Sequence, residues 1–182
     1  MTDTGDTRIR LACSGQIATI TIDRPDKLNA LDYEMVLALE HAAHLIDAMT
    51  GVRAAIITGS GTRSFCAGGD IEAWSARSPQ DFGLAWVRHG HRAFDALARL
   101  RQPLIAALNG HTLGGGLEIA ATADFRIAEA HVKLGSPERP GSASFPAGQA
   151  PSARCAALVR RPCAAWRCWA RYSRPSRASP WG

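Results

Sequence analysis

Three consecutive glycines, Gly114-Gly115-Gly116, stand two residues before an acid, Glu118. The segment ahead of them, Leu104 to Leu108, is a continuous apolar run that predicts a buried strand. Asn109-Gly110 predicts a turn, and the pattern from Leu117 predicts a helix. Glycines in a row let a backbone approach a ligand with no Cβ in the way. The helix they open turns unpaired N–H groups and the positive end of its dipole toward that ligand. Glu118 falls in the first turn, near the same spot. Backbone donors and a carboxylate at one place suit chemistry on a carbonyl that becomes an oxyanion. Taken alone, such a glycine run more often serves close packing than catalysis, and Glu118 alone could simply compensate the helix dipole. A second glycine-containing loop, Phe65-Cys-Ala-Gly-Gly-Asp-Ile71, has the same character. Neither loop is followed by Lys-Ser/Thr, which argues against a phosphate-cradling nucleotide loop.

The surrounding elements must hold these two loops. Ile9 to Cys13 and Ile17 to Ile22 alternate apolar residues around Ser14-Gly15 and predict a hairpin. Asp23 to Leu31 reads as a loop, and Asp32 as the N-cap of a helix reaching about Thr50. Met35, Leu39, Ala42, Ile46 and Met49 form its apolar stripe. Ala54 to Thr58 predicts a strand of a second layer, followed by a turn at Gly59-Ser-Gly61. Ser78-Pro79 predicts the start of a long helix through Leu100, with Phe82, Trp86, Phe94 and Leu97 inward. His89 and His91 are read as surface or partly buried residues of that helix. Phe125 to Ala128 and Val132 to Leu134 predict short strands. The result is a layered α/β core with no internal repeat evident in the sequence.

The chain has 182 residues and is 46% hydrophobic, which suits one globular domain. Its net charge of +5 is unevenly placed: all 16 acidic residues precede position 139, while residues 139–182 hold eight arginines and no lysine. No apolar run approaches membrane-spanning length, and the polar N-terminus lacks a signal-peptide pattern. The cysteines at 13, 66, 155, 163 and 168 lack the close pairing of a zinc site. The expectation is a cytoplasmic protein with reduced thiols, no metal and no membrane contact.

Three motifs in order resemble the enoyl-CoA hydratase/isomerase (crotonase) superfamily. They are Asp23-Arg-Pro-Asp-Lys-Leu-Asn-Ala-Leu31, Ser64-Phe-Cys-Ala-Gly-Gly-Asp-Ile71, and Asn109-Gly110 through Gly-Gly-Gly-Leu-Glu118. The resemblance runs from about Ile9 to Glu138. It implies an α/β fold, a crotonase-like spiral of ββα units, here truncated. It also implies acyl-CoA thioester substrates, no cofactor beyond the coenzyme A of the substrate, and a homotrimer or hexamer. By position, the N–H groups of Ala67 and Gly115 would form the oxyanion hole. Ala67, Gly68, Gly69 and Asp70 would line the CoA-side pocket, with Leu28 and Ala30 near the adenine. Glu118 and Glu138 match the two glutamates that bracket a water in hydratases of the family. Asp70 is read as fixing its loop rather than carrying a proton. Isomerase relatives rely mainly on the later acid, so the presence of both favours hydration. Double-bond isomerisation or thioester hydrolysis stays open.

The resemblance stops after Glu138. The remaining segment, rich in Ala, Arg, Pro and Ser, holds six prolines and no Ile, Met, Asn, Thr, His, Lys, Asp or Glu. Such a composition breaks helical and strand patterns and suits a GC-rich gene read out of frame. A frame displaced by two bases permits, from Arg139, Thr-Gly-Leu-Gly-Ile-Val-Pro-Gly-Trp-Ser-Gly-Thr-Gln-Arg, which resembles the family's continuation. The expected organisation is a core over residues 1–138 and a frameshifted, disordered tail over 139–182. On that expectation Glu138 lacks its supporting segment, assembly is impaired and activity is weak or absent. The arginines would bind nucleic acid or anionic surfaces only incidentally, by charge.

Overall fold

The computed structural model describes residues 2–75, 78 and 86–135. The expected hairpin is present: β1 (Ile9–Ser14) pairs antiparallel with β2 (Ile17–Ile22), Ile9 facing Ile22, across a turn at Gly15 with φ of 57°. Alternate side chains of β2 are buried, as a strand with one covered face requires.

Helix α1 (Tyr33–Ala48) begins where Asp32 accepts a hydrogen bond from Met35 N at 3.1 Å. Met35, Leu39, Ala42 and Ile46 are fully buried, and Met49 packs at the margin just past the helix end. Burying each of the larger side chains stabilises the fold by about 2 kcal/mol. The chain then returns as β3 (Ala54–Gly59), parallel to β2. This corrects the expected second layer: β3 lies in the same sheet as the hairpin. That sheet continues through β5 (Leu104–Leu108) to β7 (Phe125–Ala128), with strand order β1-β2-β3-β5-β7.

The second layer is built from strands too short to show a period in sequence. β4 (Ser64–Cys66), β6 (His111–Leu113) and β8 (Leu134–Gly135) form a parallel sheet of three. Each long-sheet strand from β3 onward is thus followed by a short-sheet strand. After β4 come α2 (Ile71–Ser75) and α3 (Arg88–Ala98), and after β6 comes α4 (Gly115–Thr122). The repeat unseen in the sequence is therefore structural, a spiral of ββα units. α3 packs on α1, and Arg92 bonds the nearly buried Glu40 at 2.7 Å across that seam. His89 stacks edge-on with Tyr33 at 5.5 Å.

Trp86, Phe94 and Leu97 are buried as expected. Phe82, Glu138 and the tail 139–182 lie outside the described residues. α4 opens two residues before the expected Leu117, and α2 begins at Ile71, the end of the expected loop, over positions for which no element was expected. Among the described residues no helix is long and apolar enough to cross a membrane.

Candidate active site

Parallel pairing of β4 with β6 brings the turns at their C-terminal ends side by side. The first runs Ala67 to Asp70, the second Gly114 to Gly116. Gly68 and Gly114 adopt φ of 98° and 51°, which side chains rarely tolerate. A Cβ on Gly68 would lie 3.1 Å from Gly115 N, and one on Gly115 would lie 3.9 Å from Gly69 N. The two turns are therefore in contact along their backbones.

The hydrogen bonds decide which amides face a ligand. Ala67 N–H donates to Leu28 O at 3.1 Å, and Gly68 N–H points to Cys66 Sγ at 3.4 Å. Asp70 N–H donates to Leu31 O at 2.7 Å, and Gly114 N–H to Gly135 O at 3.0 Å. Leu117 and Glu118 N–H both donate to Gly114 O. Gly69, Gly115 and Gly116 keep N–H groups with no partner among the described residues. The expectation of Ala67 as a donor is corrected here, because its N–H is already spent on Leu28. In that turn the N–H without a partner among the described residues is that of Gly69.

The plane of the Gly68–Gly69 peptide leads to the same amide. Leu31 N–H donates to Gly68 O at 2.8 Å. In a planar trans peptide the carbonyl and the following N–H point in opposite directions. Holding Gly68 O on Leu31 therefore turns the Gly69 N–H away from Leu31.

Asp70 does fix its loop. Its carboxylate accepts from Glu72 N at 3.1 Å and Ala73 N at 3.2 Å, and pairs with Arg24 at 2.9 Å. Burial would raise this carboxyl, but the Ala73 N–H and the Arg24 guanidinium hold it below the usual carboxylate range. Leu28 contributes its carbonyl while its side chain is partly exposed, and it and Asn29 are left-handed, at φ of 53° and 57°. Ala30 O accepts from Arg24 at 3.1 Å. Glu118 sits half-buried in the first turn of α4.

The side chains that clamp this site carry little signal in the sequence. Asn29 is fully buried and donates to Ser60 O and Ser64 O, while its Oδ1 accepts from Arg24 N. Asn109 Nδ2 donates to Gly61 O at 2.7 Å and its Oδ1 accepts from Gly59 N at 3.0 Å. Trp74 covers Gly69: a Cβ there would fall 2.5 Å from Trp74 Cε2. Trp74 in turn meets Trp86 with ring centroids 4.8 Å apart. Short polar residues in left-handed or turn positions are the one sequence signal for the two asparagines.

Residues 17–140 match the family described as Enoyl-CoA hydratase/isomerase. The Short-chain-enoyl-CoA hydratase of Clostridium acetobutylicum is 39% identical over 127 residues, covering 68% of this chain and 47% of that protein. The Crotonyl-CoA hydratase of Syntrophomonas wolfei is 39% identical over 126 residues, with the same shares. The crystal structure of an enoyl-CoA hydratase from Bacillus anthracis superposes with a TM-score of 0.68 at 30% identity, over 71% of this chain and 50% of that one. The chain spans about half the length of the curated relatives it matches.

Proposed function

The chain belongs to the enoyl-CoA hydratase/isomerase family, and from that premise we propose that it binds 2-enoyl-CoA thioesters and adds water across their 2,3 double bond. The observation that carries this reading is the pair of N–H groups, Gly69 and Gly115, without a partner among the described residues, on touching turns with Glu118 one helical turn away. The thioester oxygen accepts from both. As the water oxygen bonds to C3, the electrons of the double bond shift through C2 onto the thioester oxygen, giving an enolate that the two donors stabilise. Loss of one such donor costs about 3–4 kcal/mol in enzymes where it has been removed. Glu118 takes the proton of the water. A second carboxyl delivers a proton to C2, which restores the carbonyl, and Glu138 is our candidate for it. Acid–base help of this kind is worth on the order of 10²–10⁴-fold.

Coenzyme A enters as part of the substrate, over Gly68, Gly69 and Asp70, with Leu28 and Ala30 toward its adenine. The reaction needs no further cofactor in this reading, and a cytoplasmic trimer or hexamer is the assembly proposed. Residues 1–138 are the core and residues 139–182 an out-of-frame tail, a division supported by the abrupt change in composition. The nucleotide sequence over codons 130–182 tests that division, and the lack of a family-like reading in the displaced frame would refute it.

Product analysis tests the chemistry. The purified chain is incubated with a 2-enoyl-CoA and, separately, a 3-enoyl-CoA. Acyl-CoA binding with slow formation of 3-hydroxyacyl-CoA from the first is expected. Double-bond migration in the second, without any hydroxyacyl product, would replace hydration by isomerisation. Failure to bind either thioester would refute the acyl-CoA reading. A rate typical of an intact enzyme would instead refute the impairment attributed to the tail.

A further inference from the structure

Arg24 lies in the first loop, far in sequence from both glycine turns, yet its guanidinium reaches Asp70, next to Gly69, and Ala30, next to the Leu31 that holds Gly68 O. One nitrogen donates to Ala30 O at 3.1 Å and the other meets Asp70 Oδ2 at 2.9 Å. Ala30 precedes Leu31, whose N–H holds Gly68 O and whose C=O holds Asp70 N. The guanidinium thus bridges the two short segments whose mutual register turns the Gly69 N–H outward. We infer that Arg24 is a positioning residue: by clamping Ala30 to Asp70 it sets the direction of the Gly69 N–H that receives the thioester oxygen.

Four observations support this. The pair is sheltered, with side-chain exposures of 16% for Arg24 and 8% for Asp70, so water cannot readily replace either partner. The Asp70 carboxylate is also tied to the start of α2 through Glu72 N and Ala73 N, so the clamp holds both sides of Gly69's turn. Arg24 itself is fixed at its backbone, where its N–H donates to Asn29 Oδ1 and its C=O accepts from Asn29 N. It stands 3.6 Å from Asp32, which is shared with Arg8, so its charge faces carboxylates on two sides. Lysine would keep the charge but lacks the planar fork that spans two acceptors.

This inference rests on the acyl-CoA reading, and one probe separates their failures. Acetoacetyl-CoA ionises to an enolate that absorbs in the near ultraviolet. A site that holds the thioester oxygen with two N–H groups favours that form on binding. The full chain and its Arg24→Lys and Asp70→Asn variants are saturated with acetoacetyl-CoA, and the enolate band per bound ligand is read. Binding of free CoA, which has no thioester, is measured in parallel. We expect a band with the parent chain that falls about 10-fold or more in both variants, while free CoA binding stays within about twofold in Arg24→Lys and falls by less than the band in Asp70→Asn. Absence of the band from the parent chain would remove the premise. An undiminished band in the variants, or a loss that only tracks free CoA binding, would overturn the positioning role. Should Arg24→Lys lose its native circular dichroism, Asp70→Asn decides, because asparagine can still accept from Glu72 and Ala73 N–H.

Discussion

A Cβ built on Gly116 would stand 2.8 Å from the carbonyl carbon of Cys66 and nearer still to its oxygen. The first turn of α4 therefore rests directly on the end of β4, and this contact sets how closely the two glycine turns approach. Alanine in a helix normally gains about 1 kcal/mol over glycine. Here it must push backbone from backbone, and overpacking costs about 1–3 kcal/mol or more. Gly116→Ala should therefore lose about 2 kcal/mol in urea unfolding, and a variant as stable as the parent would contradict the contact.

Gly69→Ala should behave differently. Its Cβ would meet the indole of Trp74 rather than backbone, and its φ lies outside the left-handed region. A ring at the end of a side chain can swing aside, so the stability change should stay under about 1 kcal/mol. The Trp74–Trp86 contact would be disturbed, which tryptophan fluorescence reports. A loss as large as that of Gly116→Ala would show that the ring is held rigidly.

Asn29 combines a left-handed backbone with three side-chain hydrogen bonds, the one to Ser64 O buried and the other two partly buried. Each bond contributes about 1 kcal/mol net, and a left-handed L-residue costs about 1–2 kcal/mol. Asn29→Ala should lose about 3 kcal/mol, and Asn29→Gly about 1 kcal/mol less, since glycine keeps the φ without strain. Equal stability of the two variants would remove the strain from this account.

Burial pushes the Cys66 thiol up from 9.0 to about 12. The native state thus favours the protonated form. Its contribution is complete below about pH 9 and is lost as pH rises toward 12, where the unfolded chain releases the proton first. At pH 8 iodoacetamide should label exposed Cys13 and spare Cys66, as read by peptide mapping. Prompt labelling of Cys66 in the native protein would contradict this burial.

Much of this architecture was legible in residue pattern alone. The β1–β2 hairpin, the Asp32 cap and the buried stripe of α1 follow from local alternation, capping chemistry and helical spacing. β4 and β6 were not legible, because three residues cannot display a period. With the short sheet invisible in the pattern, neither the structural repeat nor the layer that holds β3 can be read from the chain. The choice between Ala67 and Gly69 was beyond local pattern, since a peptide's direction here depends on Leu28 and Leu31, nearly forty positions earlier. Arg24 was hidden likewise: its role exists only where Ala30 and Asp70 come together.

The central claim is that the N–H groups of Gly69 and Gly115 share one thioester oxygen. A ¹H–¹⁵N titration of the chain with acetoacetyl-CoA tests it at the atoms concerned. The account predicts downfield shifts of the Gly69 and Gly115 amide protons along one saturation curve, with Ala67, bonded to Leu28 O, nearly unmoved. Movement of Ala67 with Gly115 while Gly69 stays in place would contradict it.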